Sequence, residues 1–297
     1  MKQDILIGCV ADDFTGASDA ASFLMSKGMK TILFNGKPDG EIPPCQAVVI
    51  ALKSRTQETK SAVADSMAAF TWLKEQGAQH LYFKYCSTFD STKEGNIGPV
   101  VDAMLEAFGE KYTILCPALP VNKRTVENGI LYVDGVPLGE THMKNHPLTP
   151  MWESEIAKLM DPQGKYQTLN VNTELLAKSK EEILAVVDEF GKDKEHFYIV
   201  PDYVNDENGT KIAEVFGDLT VLTGGSGILA PLAAKYQQAQ TAKDSMANGV
   251  DGKGIVLAGS CSKATLEQIA DFQTKGYASY KIDPMAVLSG KETVDTV

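Results

Sequence analysis

Residues 5–27 read ILIGCVADDFTGASDAASFLMSK. Residues 5–10 form a continuous apolar run of strand length, and residues 17–27 turn amphipathic with a helical period. The polar cluster ADDFTGASD, residues 11–19, lies between them. A strand that is apolar throughout is buried on both faces, the condition of a parallel sheet covered by helices. Working outward, the same alternation recurs. Apolar runs at 31–34, 47–52, 80–86 and 112–116 read as strands, and 59–76 and 97–108 read as helices. The pattern predicts an α/β fold, a parallel sheet with covering helices. Asp134–Gly135, inside residues 130–138, signals a hairpin and a small antiparallel excursion.

A second αβ series follows the polar loop 139–149. Helices are expected at 153–159, 173–190, 211–216 and 227–235, with strands at 168–171, 197–200 and 219–222. Residues 237–253 are polar and aperiodic, the composition of a linker. A strand at 254–258 and a helix at 264–275 then begin a further unit. The expected organisation is therefore a domain over 1–236, a linker over 237–253, and the start of a second α/β domain over 254–297. About 45 residues are near the lower limit for a domain that folds alone.

Of the 297 residues, 43% are hydrophobic and 23% charged, enough for a substantial core. The net charge of −11 argues against a nucleic-acid partner, which needs a basic face. Phosphate ligands stay open, because a site needs only a few local cations and backbone N–H groups. There is no signal-peptide pattern and no apolar stretch of membrane-spanning length, so the expectation is a cytoplasmic chain without a membrane partner. Five cysteines, widely spaced and without a CxxC pair, read as reduced thiols rather than a disulfide framework or a zinc site.

Polar clusters follow the strands, where ligands of a parallel sheet gather. Asp12 and Asp13 either bind or activate a polyol hydroxyl, or Asp13 or Thr15 only caps the helix. Arg55, in LKSR, offers a planar fork for a carboxylate, or a surface ion pair. Residues 84–96, KYCSTFDSTKEGN, crowd Lys84, four Ser/Thr hydroxyls, Asp90 and Asn96 ahead of a helix. That density suits a hydroxylated or carboxylated ligand, against an ordinary Ser/Thr-rich turn. Asn122, Arg124 and His146 either face one cleft or are turn residues. TGGSGILA, residues 223–230, formally fits a dinucleotide fingerprint but lacks the acidic strand end that should follow, so a generic phosphate or substrate loop is preferred. GSCSK, residues 259–263, opens a helix with small residues, either an anion cradle or simple capping. No Walker A sequence and no protein-kinase signature occur.

Taken in order, ADDFTGASD, LKSR, FKYCSTFDST, GNIGP, PALPVNKRT, KNHPLTPM, TGGSG and GSCS resemble the four-carbon acid sugar kinase family, in particular its 3-oxo-tetronate kinases. The resemblance spans essentially the whole chain. It implies an N-terminal sugar-acid-binding domain, a C-terminal nucleotide-binding domain, and ATP-dependent phosphorylation of the terminal hydroxyl of a 3-oxo-tetronate such as 3-dehydro-erythronate. Carried over, it assigns Asp12, Asp13, Arg55, Lys84, Ser87, Thr88 and Asp90 to the substrate domain. Arg55 and Lys84 would hold the carboxylate and Asp13 or Asp12 would act as base. Ser260 and Ser262 would contact ATP, with Mg²⁺ bridging the phosphates. Partners would be the sugar acid and ATP, and a homo-oligomer stays open. The family's later GGETS-type and GNFG-type segments do not occur, so the nucleotide half is expected to be incomplete. The alternative is a truncated, non-catalytic sugar-acid-binding module.

Overall fold

The structure, a computed structural model, describes residues 5–146, 148–238, 252, 254–259, 263–291 and 293. It falls into two units, Met1–Met246 and Ala247–Val297.

The first unit is α/β. Its opening strand β1 (Ile7–Ala11) leads into helix α1 (Phe14–Met25), which starts where Asp13 accepts a hydrogen bond from the Gly16 N–H. Strands β2 (Thr31–Asn35) and β3 (Ala47–Ala51) follow. Helix α2 (Thr59–Gln76) is capped by Glu58 at its start and by Gly77 at its end. Gly77 has φ 103°, a left-handed stop that glycine adopts at little cost. Strand β4 (His80–Lys84), helix α3 (Ile97–Phe108) and strand β5 (Tyr112–Cys116) complete the first series.

Three short strands then form a separate antiparallel sheet: β6 (Arg124–Glu127), β7 (Ile130–Val133) and β8 (Val136–Pro137). The Asp134–Gly135 turn joins β7 to β8 with positive φ at both residues (54° and 79°), the type I′ geometry that matches strand twist. Asn128–Gly129 makes a second such turn (52° and 74°) between β6 and β7; the Asn-Gly pair is its signal, and it was not among the expected turns.

The second αβ series contains α4 (Ile156–Met160), β9 (Thr168–Val171), α5 (Thr173–Leu176), α6 (Lys180–Phe190), β10 (Phe197–Pro201), α7 (Asp206–Phe216), β11 (Val221–Gly224) and α8 (Leu229–Gln238). The single helix expected over 173–190 is two, because Ser179 and Glu182 form a capping box that starts α6 afresh. Helix α7 begins earlier than its apolar period suggested, since Asn205 and Asn208 cap it reciprocally.

The main sheet has eight strands in the order β2-β3-β1-β4-β11-β5-β10-β9, and all its pairings are parallel. Strands β1, β3 and β10 are buried at every position, as their apolar runs require. From β1 the chain departs toward β2; from β4, the neighbour of β1, it departs to the opposite side. Their carboxyl ends therefore flank a topological switch point, where a crevice opens in such sheets. The register sets Ala11 level with both Ala51 and Lys84, so the residues that follow all three strands emerge at one edge.

The second unit contains α9 (Lys263–Thr274) and α10 (Pro284–Leu288). Residues 254–259, expected to hold a strand, carry no regular structure, and Ile255, Val256 and Leu257 are 85%, 76% and 84% exposed. A strand is held by its ladder to a neighbour, and the described residues of this unit include no other strand. Among all described residues no helix is long and apolar enough to cross a membrane.

Candidate functional site

The carboxyl edge of β1, β3 and β4 gathers most of the residues singled out from the sequence. Backbone hydrogen bonds fix the three chain ends together: Asp12 N–H donates to Lys84 O (3.0 Å), and Ser54 N–H and Arg55 N–H both donate to Asp12 O (3.0 and 3.2 Å). Asp12 is almost fully buried. Arg55 meets it with a two-pronged contact, Nε to Oδ2 and Nη2 to Oδ1, both 2.9 Å. Nη2 also lies 3.1 Å from Asp13 Oδ1, and Nη1 3.8 Å from Asp90 Oδ2. Burial pushes the Asp12 carboxyl above its usual range while Arg55 pulls it back. Burial alone would lower the guanidinium, but its bonds to Asp12 outweigh that and hold it firmly protonated.

Arg55 is the residue expected to hold a ligand carboxylate. Its fork is occupied by Asp12 and Asp13, and a geometry that suits a carboxylate is equally satisfied by one from the same chain. The narrow recess beside it, between Asp12, Ser54, Asp90 and Asn96, has no room for a water molecule.

Asp13 differs from its neighbour. Its Oδ1 caps α1 and touches Arg55, but its side chain is 31% exposed against 4% for Asp12. Capping and a ligand role are thus compatible in one carboxylate.

Lys84 is 5% exposed, the sole buried lysine or arginine among the described residues, and no carboxylate of those residues lies within ion-pairing distance of its ammonium. It lies over the first turn of α1: a Cβ on Gly16 would run into Lys84 Nζ and Asp13 Oδ1. The ammonium feels the Asp12 charge without a direct ion pair, so an anion arriving from outside would add the close contact that a buried charge needs.

The loop after β4 is internally braced. Thr88 Oγ1 donates to Asp90 Oδ1 (2.6 Å), and Cys86 Sγ lies 3.0 Å from Thr88 Oγ1. Burial raises the Cys86 thiol above its ordinary value. Phe89 is fully buried with φ 49°, a left-handed conformation held by its edge contact with Tyr85. Strain of this kind costs about 1–3 kcal/mol and persists only where the surroundings impose it. Ser87 is half-buried, and no hydrogen bond of its side chain occurs among the described residues.

Sequence reasoning named Asn96 only as part of a polar loop. Its Nδ2 donates to the carbonyls of Ser54 (2.8 Å), Arg55 (3.3 Å) and Gln57 (2.9 Å), tying the arginine loop to the start of α3, while its buried Oδ1 has no partner. The signal, an Asn before a helix, is indistinguishable in sequence from an ordinary cap.

The glycine run 224–227 is buried, so it is no open phosphate or substrate loop. A Cβ on Gly224, Gly225 or Gly227 would strike the carbonyl oxygens of Cys116, Pro117 and Ala118 respectively. These glycines let two backbones meet, and Ser226 bonds to Asp19. His146 is a turn residue, its Nδ1 accepting from Thr149 N–H at 3.0 Å. Ser260 and Ser262 lie outside the described residues.

The fold and site define a doubly wound α/β binding domain with a charged cluster at its switch point. The comparisons with known proteins agree. Residues 7–232 match the sugar-binding N-terminal domain family. A 3-oxo-tetronate kinase of Brucella melitensis is 41% identical over 280 residues, covering 93% of this chain and 64% of that protein. One of Burkholderia multivorans is 41% identical, covering 98% and 68%. A crystal structure of a Salmonella typhimurium protein, described as a putative tRNA synthase, superposes with a TM-score of 0.87 at 40% identity over 96% of this chain and 68% of that one. The chain belongs to the 3-oxo-tetronate kinase family, and spans about two thirds of the length of the curated relatives it matches.

Proposed function

We propose that this chain binds the carboxylate of a four-carbon sugar acid on Lys84 and presents its terminal hydroxyl to Asp13, for phosphorylation by ATP. The observation that carries the reading is the buried Lys84 ammonium, in no direct ion pair among the described residues, beside two aspartates at the switch point of the sheet. The activity is that of the 3-oxo-tetronate kinases to which the chain is similar, and the acceptor would be a 3-oxo-tetronate.

The roles divide by geometry. Lys84 supplies the charge that an acid substrate needs and that Arg55 has already committed. Asp13, partly exposed, orients the attacking hydroxyl and accepts its proton as the phosphorus–oxygen bond forms. Asp12, with both oxygens on Arg55, is the less suitable base. It holds Arg55, which in turn fixes Asp13. Ser87, Thr88 and Asp90 offer hydroxyl and carboxylate contacts to the sugar acid. ATP would supply the phosphoryl group and Mg²⁺ would neutralise its phosphates; Ser260 and Ser262 are the residues assigned to that partner. In this reading residues 1–236 bind the sugar acid, 237–253 link, and 254–297 begin the nucleotide-binding part. A cytoplasmic location is the matching expectation, with a homo-oligomer left to measurement. An RNA partner finds no support in a chain of net charge −11.

The test is calorimetric titration of a tetronate panel into the chain, with ADP release measured in parallel under Mg-ATP. Lys84→Met should abolish tetronate binding, and Asp13→Asn should leave binding but remove any turnover. Binding without ADP release would assign the chain the sugar-acid half of the reaction alone. Binding that survives Lys84→Met would sink the assignment.

A further inference from the structure

The chain contains two arginines among its 28 basic side chains, Arg55 and Arg124. Lysine serves wherever a bare charge suffices, so an arginine marks a place where a planar fork is used. Arg55 spends its fork on Asp12 and Asp13. Arg124 has no carboxylate within 4.0 Å among the described residues. Its Nη1 donates to the backbone carbonyl of Asn122 (2.5 Å), and its Nε is buried without any acceptor. A buried guanidinium N–H without a partner is uncommon and costs free energy.

Arg124 lines a cavity of about 450 Å³ together with Asn122, Lys123, Glu140, Thr141 and His142. The volume accommodates a small organic anion. Its walls are anchored on several sides. Leu119 and Arg124 exchange backbone hydrogen bonds (2.8 and 3.1 Å), and Asp134 N–H donates to Lys123 O (2.8 Å). Val126 and Tyr203 exchange a further pair (3.1 and 2.8 Å), fastening the hairpin to the chain just beyond β10. Lys123 stands in a left-handed conformation (φ 59°) with its ammonium 2.7 Å from Asp134, so these two charges largely cancel. The wall thus carries two cations, Lys123 and Arg124, and two carboxylates, Asp134 and Glu140, and the Arg124 fork is the cation held in no ion pair within 4.0 Å, beside His142 and Asn122. Glu140 and Thr141 offer groups to which hydroxyls can bond.

We infer that this cavity, formed by the β6–β8 hairpin and the turns after it, is a second binding site for a small hydroxylated oxyanion, with Arg124 gripping its carboxylate or phosphate. It shares no residue with the Lys84 crevice and does not depend on the kinase reading. Carboxylate and phosphate present the same pair of oxygens to an arginine fork, so two probes separate them: L-tartrate and inorganic phosphate.

The experiment titrates each probe into wild-type chain, Arg124→Gln, Arg124→Lys and Lys84→Met, by calorimetry and by amide shifts in ¹⁵N-labelled wild type. Expected is saturable binding of at least one probe, with shifts at residues 122–124 and 140–142. Arg124→Gln should weaken it by about tenfold or more, the loss of a charge-assisted contact. Arg124→Lys should also weaken it, because the charge returns without the fork. The shift map in wild type keeps the proposal testable should an Arg124 variant misfold. Saturable binding of neither probe, wild-type affinity in Arg124→Gln, or loss of binding in Lys84→Met with shifts at residues 12–16 would each overturn it.

Discussion

Gly16→Ala isolates the Lys84 crevice from the stability of the fold. The added methyl would meet Asp13 Oδ1 and Lys84 Nζ inside contact distance, and Lys84 Cε at 3.0 Å. Overfilling a packed site costs about 1–3 kcal/mol. Here the obstructing atoms are the ends of two side chains, so the cost falls at the low end. Alanine in place of glycine in a helix returns up to about 1 kcal/mol. The two nearly cancel, and the melting temperature should move by no more than about 4 °C. Affinity should behave differently. Pushing the ammonium aside forfeits a charge-assisted contact of about 1.5–3 kcal/mol, a ten- to hundredfold loss in tetronate affinity. The assay is calorimetry paired with thermal melts, and Gly98→Ala is the control. At Gly98 a Cβ would lie 2.5 Å from the Gln163 carbonyl carbon and oxygen and 2.7 Å from Gly164 N, all backbone that cannot step aside. That variant should lose stability by about 2 kcal/mol or more and keep its affinity. Gly16→Ala that binds and melts like wild type would refute the placement of Lys84 over the first turn of α1.

Arg55→Ala should destabilise the chain by about 3 kcal/mol, because it strands the buried Asp12 carboxylate. Chemical denaturation checks this, and a change confined to ligand affinity would contradict the pairing described. Asp202→Ala should cost at least about 3 kcal/mol, since it strips acceptors from Asn128 N, Gly129 N, Asn170 Nδ2 and Thr173 N and Oγ1. A loss under about 1 kcal/mol in urea melts would show those donors finding other partners. His80 gives a pH prediction. Burial lowers its pKa, with the Leu219 carbonyl, 2.8 Å from Nδ1, opposing, and its ring stacks on Tyr236 at 4.4 Å. A folded value below the unfolded one of about 6.5 means stability complete above that pH and lost as pH falls through the folded value. Denaturation midpoints at pH 7.5 and 5.5 should therefore converge in His80→Gln; an undiminished difference would remove His80 as the cause.

The sheet was legible because burial on both faces writes itself as unbroken apolar runs, as in residues 5–10 and 47–52. Polar starts were harder. Helix α7 begins among Asp206, Glu207 and Asn208, which carry no apolar period, and the break before α6 depends on Ser179 closing on Glu182. The expected strand over 254–258 had the right residues, but pairing is a property of neighbours that a local window does not contain. In the site, residue types announced charge and hydroxyl density at the strand ends without saying who pairs with whom. Arg55 could have faced a ligand or Asp12, and only the register of β1 against β3 decides. Asp202, fully buried and accepting hydrogen bonds from three separate segments, sits in PDY as an unremarkable loop acid.

That aspartate also says how the hairpin can vary. The β6–β7 turn is fastened at Asn128 and Gly129 to a buried aspartate, whereas the β7–β8 turn at Asp134–Gly135 has open space around Gly135 and is tied at Asp134 alone, by an exposed lysine bridge and one backbone bond to Lys123. Insertions should therefore be tolerated at Asp134–Gly135 and rejected at Asn128–Gly129. The tip can then lengthen or change composition while the sheet beneath it stays as it is, leaving one loop free to diversify around a fixed scaffold.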